Sequence, residues 1–291
     1  MSEEPALDKS KIMADNGWDK GFVYFGHPAT ETTVKVVTAV QFLTTQDNFP
    51  FKKEDGTLKH VILNFDDKPI AKDDEKNEVS LGIDSAEYKC VSGGRTFMPA
   101  VAIDGEMFFE SGEIVKMLHE KYPDSTLTPE EKKQVDEWIQ FNIDNTNRML
   151  VALKHFGWCF MQGARPNYVA YGKGNKDDAW EKELVKDVHV FFEKMDKHFV
   201  DKKEPAFFVG DKLTMADCVM INWPWSFHLI VELKIEERYP NVWKHFNALK
   251  DKAIAGSDAH YNVFPYFANV VTDLAKEARA EGFHIENEKH W

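Results

Sequence analysis

The chain is poor in cysteine, in positive charge and in long apolar runs. Three cysteines stand in 291 residues, Cys90, Cys159 and Cys218, with no CxxC pair. So sparse and odd a set excludes a disulfide-stapled scaffold and fits a reducing compartment. Lys and Arg number 36 against 49 Asp and Glu, a formal net charge of -13. A phosphate backbone is recognised by a basic footprint, so no nucleic-acid partner is expected. No apolar stretch approaches the roughly 18 residues of a membrane-spanning helix, so no membrane partner is expected either. The opening Met1-Ser2-Glu3-Glu4-Pro5 lacks the basic and apolar regions of a secretory leader, and the expected location is the cytoplasm. GxGxxG, GxxxxGK[ST] and HExxH are missing and the 11 histidines are scattered, so neither a nucleotide loop nor a metal site is expected.

What is present is the composition of an ordinary folded protein, 43% hydrophobic and 29% charged. At roughly 100 to 200 residues per domain, the length predicts two domains. Residues 1–20 are polar and weakly patterned and read as an N-terminal arm. Phe22-Val23-Tyr24-Phe25, ended by Gly26-His27-Pro28, predicts a buried strand, and Val36, Val37, Val40 and Leu43 a helix after it. A second strand is expected over His60 to Phe65. Residues 46–59 and 66–78, rich in Lys, Asp and Glu, read as inserted, solvated loops. Two apolar runs around Asp104-Gly105 predict a tight hairpin, followed by a helix that starts at Glu110-Ser111.

Beyond Pro129 only helical patterns occur. Trp180, Leu184, Val188, Phe191, Phe192, Met195 and Phe199 mark one apolar stripe. Thr214 and Asp217 form the aspartate variant of a capping box, opening a helix that is apolar nearly all round through Val231. Further helices are expected over 241–253 and 263–280. The fold class is thus α/β followed by all-α: a domain over 21–125 with a mixed sheet, then a helical bundle over 126–291.

Met98-Pro99, the Asp104-Gly105 hairpin and Glu110-Ser111, followed by Asp211 to Asp217 and by Tyr239-Pro240-Asn241, resemble the cytosolic glutathione transferase superfamily, nearest its tyrosine-type classes. The resemblance spans roughly residues 20 to 270 and implies a thioredoxin-like N-terminal domain with a cis-proline at Pro99. It implies a homodimeric detoxification enzyme that activates the thiol of glutathione, its co-substrate, for attack on a small hydrophobic electrophile. Met98 and Pro99 would pair with the peptide backbone, and Glu110 and Ser111 would hold the γ-glutamyl end. Arg95 and Lys89 are available for the glycyl carboxylate.

Tyr24 aligns with the thiol-activating tyrosine of those classes, and Lys35 with a basic helix residue. A second register, through Ala29-Thr30 and Lys35-Val36, points instead to the Thr30 hydroxyl. A hydroxyl that donates to sulfur favours the thiolate, the reactive form. No cysteine lies near the first strand, which disfavours the classes that form a mixed disulfide. Trp138 and Phe156, with Trp158, Phe160, Tyr168 and Tyr171, are the aromatic candidates for an electrophile pocket, against the commoner fate of core packing. Two departures, Pro28-Ala29-Thr30 in place of a basic segment and Phe97 where a polar side chain is usual, keep a non-catalytic scaffold of the same fold as the rival. A glutathione-dependent isomerase or peroxidase would use the same site.

Overall fold

Phe22-Val23-Tyr24-Phe25 forms, with Gly26, strand β1 (Phe22–Gly26), every residue of which is buried. In the computed structural model, which describes residues 7–27, 30–64, 66–73, 78–156, 178–203, 205–231 and 233–250, β1 lies inside a six-stranded mixed sheet. The other strands are β2 (Leu58–Asn64), β3 (Ala71–Asp73), β4 (Glu78–Gly82), β5 (Ala100–Ile103) and β6 (Glu106–Phe109), in the order β3-β4-β2-β1-β5-β6. β1, β2 and β4 run parallel, and β3, β5 and β6 pair antiparallel with their neighbours. Asp104 and Gly105 turn the β5–β6 hairpin at φ 49° and 82°, the left-handed values a two-residue turn of this kind requires.

Side-chain alternation splits β1 between two cores. Val23 and Phe25 join Val61, Leu63, Leu81, Ala100 and Ala102 in one cluster with Met13, Trp18, Tyr88 and Val91. Phe22 points the other way, into a ring cluster with Phe49, Phe51 and Tyr122. Both clusters belong to the first of two compact units, Met1–Val36 with Leu43–Pro123; the second is Val37–Phe42 with Asp124–Trp291.

Three readings of the first unit are corrected. Residues 1–20 are not merely an arm. They contain helix α1 (Lys9–Asp15), capped by Asp8, and Met13 and Trp18 are buried in the sheet's core. Residues 46–59 are anchored by Phe49 and Phe51, at 1% and 8% exposure, so their charges flank a core element. Within 66–78, Ala71–Asp73 forms the edge strand β3. Helix α3 (Ala86–Ser92), capped by Ser85, is an element that the apolar pattern does not announce. The remaining helices of this unit are α2 (Glu31–Thr44), whose middle turn belongs to the second unit, and α4 (Ser111–Lys121).

The second unit is helical: α5 (Pro129–Phe156), α6 (Asp178–Phe199), α7 (Met215–Met220), α8 (Asn222–Ile230), α9 (Ile235–Arg238) and α10 (Pro240–Lys250). Six of the seven stripe residues of α6 are buried, and Trp180 at its start is half-buried. A Thr128–Glu131 capping box starts α5, and Asn142 Nδ2 donates to the Val219 carbonyl at 2.9 Å, tying α5 to α7. The expected helix from Thr214 to Val231 is broken at Ile221. Pro224 has no N–H to give the carbonyl four residues back and its ring crowds that carbonyl, so the turn reopens as α8. The helix expected over 263–280 lies outside the described residues. Among them, no helix is long and apolar enough to cross a membrane.

Candidate functional site

The registers gather several candidate residues at one end of the sheet. Phe25 pairs with Ala100, and Ala100 with Phe109. Consequently Gly26-His27, Met98-Pro99 and Glu110-Ser111 emerge side by side from three adjacent strands. Thr30 is held to the same end, because its N–H and its Oγ1 both donate to the His27 carbonyl at 3.1 Å.

Each group offers something a peptide ligand can use. The Met98–Pro99 bond is cis. Among the described residues, the Met98 N–H and C=O make no hydrogen bond, which leaves a donor and an acceptor open beside a sheet. Tyr88 Oη donates to the Phe97 carbonyl at 2.7 Å and fixes the approach to that segment. Glu110, at φ 66°, is a non-glycine residue in the left-handed region, and its carbonyl accepts from Ile114 N at 2.8 Å to begin α4. No side chain caps that helix. Ser111, 6% exposed, therefore sits among unsatisfied N–H groups at the positive end of the dipole, where a carboxylate is favoured.

Arg95 is brought to this end of the hairpin, its guanidinium 4.4 Å from the centroid of the Phe109 ring. Lys89 is not brought there by any contact; its ammonium pairs with Asp84 at 3.3 Å, on the loop before α3. Phe97 is 64% exposed, an apolar side chain at the rim of an otherwise polar site.

Tyr24 and Thr30 differ sharply. Tyr24 is 2% exposed, stacked on His60 at 4.8 Å between centroids. Its hydroxyl lies over Gly26: a methyl added there would come within 2.5 Å of Tyr24 Oη and 2.8 Å of Thr33 Oγ1. Tyr24, the leading candidate for thiol activator, is thus enclosed by the protein, with its hydroxyl at the Gly26 end of β1. Thr30 is half-buried at the N-terminus of α2, within reach of solvent, and its carbonyl accepts from Val34 N at 3.0 Å. Lys35, one turn further on, is fully buried, and burial pushes its ammonium down to about 7. Burial likewise pushes the His60 imidazole down to about 4, so the ring beside Tyr24 is neutral.

The inward placement of Tyr24 has a direct consequence. Gly26→Ala is expected to destabilise the protein by about 2 kcal/mol through overpacking, and to cost clearly less in a Tyr24→Phe background. Urea unfolding of the four proteins measures the coupling. Equal costs in both backgrounds would put the hydroxyl elsewhere.

In the second unit the Trp138 ring packs 4.6 Å from Phe208 and 4.8 Å from His198. Phe156 ends α5, but its side chain lies outside the described residues, as do Trp158, Phe160, Tyr168 and Tyr171. No group of three or more His, Cys, Asp or Glu residues suited to a metal occurs among the described residues. Sequence reasoning missed Tyr88 and the left-handed geometry of Glu110. Tyr88 was hidden in an unrecognised helix, and no propensity places a glutamate at positive φ.

Residues 156–251 match the family model described as glutathione S-transferase, C-terminal domain. Among curated proteins none matches the sequence. The structure is similar to Ure2p in complex with glutathione, at 18% identity over 86% of this chain and 99% of that one, with a TM-score of 0.60. It is similar to the glutathione transferase URE2P6 from Phanerochaete chrysosporium in complex with oxidized glutathione, at 17% identity over 87% and 99%, with a TM-score of 0.58. A third likeness is to glutathione S-transferase III in its apo form, at 15% identity over 87% and 97%, with a TM-score of 0.53. At these identities the structural likeness speaks for the fold. A thioredoxin-like mixed sheet followed by a helical domain is that fold, and residues 156–251 match its C-terminal domain in sequence.

Proposed function

We propose that the N-terminal unit binds glutathione and that the Thr30 hydroxyl, rather than that of Tyr24, stabilises its thiolate for attack on a small hydrophobic electrophile. The observation that carries this reading is the convergence, at one sheet end, of the open Met98 backbone, Glu110 at positive φ, Ser111 at an uncapped helix start, and Thr30. The Met98 N–H and C=O pair with the cysteinyl backbone as a short added strand. The α4 N-terminus and Ser111 take the γ-glutamyl carboxylate, Glu110 its ammonium, and Arg95 the glycyl carboxylate. Two of the solved structures with this fold hold glutathione or its oxidized form, which supports the same assignment.

Calorimetric titration with glutathione tests the binding half. Saturable heat is expected, with affinity lowered about tenfold by Ser111→Ala, the value of one charge-assisted hydrogen bond. Absence of saturable heat in the unmodified protein would sink the proposal.

The second reading, a binding or scaffold protein without chemistry, is favoured by one feature: Phe97 presents an exposed ring at the rim where a polar contact to the peptide is expected. Saturable binding with no turnover of any electrophile would select it. Product identification separates conjugation from isomerisation or peroxide reduction at the same site.

A further inference from the structure

A cleft of about 280 Å³ opens in the helical unit and is lined by His189, Glu193, Asp196, Lys197, Arg238 and Tyr239. Nothing in the N-terminal site involves it. Four of these residues fall on successive turns of α6, and the other two end α9, so the cleft sits where the chain turns from α9 into α10.

The charges that line it are not equivalent. Asp196 is committed, because it accepts from Asn241 N at 2.8 Å, Val242 N at 3.2 Å and Asn241 Nδ2 at 3.0 Å, closing the N-terminus of α10. That removes the helix end as an anion site and leaves Asp196 as structure. Glu193 pairs with Lys197 at 3.0 Å, but both side chains are more than half exposed, and such an i,i+4 pair is weak enough to be exchanged. Arg238 is exposed and makes no ion pair among the described residues. Between them lies a fixed neutral pair. Tyr239, 4% exposed and stacked on Phe192, is hydrogen-bonded through its hydroxyl to His189 Nδ1. Burial lowers the imidazole and pushes the phenol up to about 12, so both rings are uncharged.

The lining therefore carries one available cation, one exchangeable carboxylate and an uncharged imidazole, with no net excess of either sign. A simple anion would meet Glu193, and a simple cation would meet Arg238. From this arrangement we infer that the cleft binds a small zwitterion of the α-amino-acid type, its carboxylate on Arg238 and its ammonium on Glu193. The size agrees, since the volume falls just below that of drug-sized pockets. The same head group occurs on free amino acids and on the γ-glutamyl end of a peptide, and the chemistry of recognition is shared.

The test is a titration of the full-length protein with L-glutamine, followed through the His189 and Tyr239 ring resonances by NMR, with succinate and putrescine as the purely anionic and purely cationic comparisons. γ-Glutamylglycine distinguishes the peptide source from the free amino acid by whichever binds more tightly. A saturable shift with L-glutamine or γ-glutamylglycine is expected, weakened about tenfold or more by Arg238→Gln and by Glu193→Gln, with none from succinate or putrescine. Both substituted residues lie at the surface, and an unchanged circular dichroism spectrum verifies the fold. The inference is overturned by no saturable shift up to about 50 mM, where a millimolar site would be filled. It is equally overturned by full retention of the shift in Arg238→Gln, or by succinate binding as well as the zwitterions.

Discussion

Thr30→Val is expected to lower kcat/KM for conjugation of glutathione to a chlorodinitrobenzene by a factor of about 10² to 10³, leaving the affinity for S-hexylglutathione nearly unchanged. The magnitude is that of one donor removed from a developing or resting anion in a preorganised site. An unperturbed thiol has a pKa of about 8.5, so only a few per cent is thiolate at neutral pH. A hydroxyl that lowers this value by about two units contributes about 2.7 kcal/mol. Thr30 presently donates to the His27 carbonyl at 3.1 Å, and a rotation about its Cα–Cβ bond re-aims it at a bound sulfur. Valine keeps the shape and deletes the donor, whereas Thr30→Ser keeps the donor and is expected to restore most of the rate. Loss of the hydrogen bond to the His27 carbonyl costs about 1 kcal/mol in Thr30→Val, too little to unfold the protein. Unchanged turnover in Thr30→Val would remove this role from Thr30. Loss confined to Tyr24→Phe, with stability intact, would return the role to Tyr24.

The second large effect is structural. Asp217→Ala is expected to destabilise the helical unit by about 3 to 5 kcal/mol, a large share of the 5 to 15 kcal/mol typical of a domain. Asp217 has no exposed surface, and its carboxylate accepts from Phe208 N, Thr214 N and Thr214 Oγ1, each at 2.9 Å. Truncation leaves two buried N–H groups without partners, at about 1 to 3 kcal/mol each, and also opens a cavity. His245 Nε2 stands 3.6 Å from Asp217 Oδ1, while its Nδ1 bonds to the Ala206 carbonyl at 2.7 Å. The same carboxylate thus joins the chain before α7, the start of α7 and a ring on α10. Burial pushes its carboxyl up to about 6 against the pull of its hydrogen bonds, so the charge itself is costly. The value of Asp217 therefore lies in the partners it satisfies. Urea unfolding monitored by far-ultraviolet circular dichroism measures the change, and a loss below about 1 kcal/mol would contradict the network. Asp217→Asn, which keeps one acceptor oxygen, should fall between the two.

These two residues mark opposite ends of what the sequence discloses. The Thr214–Asp217 box is a local pattern three residues long, and it folds as its spacing predicts. So does the Asp104-Gly105 hairpin, whose turn chemistry depends on two adjacent residues. Tyr24 is different, because β1 is covered on both faces and offers no alternation of polar and apolar residues to tell which way each side chain points. Only its pairing with β2 and β5 turns the hydroxyl inward. Helix α3 escaped for a related reason: Tyr88 and Val91 alone carry its apolar buried face, too few positions to show a period. Phe49 and Phe51 were outweighed by neighbouring charges, although two aromatic rings are enough to hold a connection against a core. The break at Ile221 was legible in Pro224 but hidden by the continuous apolar run around it. Residues that form the candidate site were legible by type, whereas their convergence depends on strand register, a long-range property.

Glu110 ties the site to the history the sequence can have. A glutamate held at φ 66° costs on the order of 1 kcal/mol, which glycine would not incur. Selection for thermal robustness alone would therefore drive this position toward glycine, and selection for holding an ammonium beside Ser111 would drive it back. On the proposed role, durability and recognition compete at Glu110 for a single codon, and Glu110→Gly would trade the second for the first.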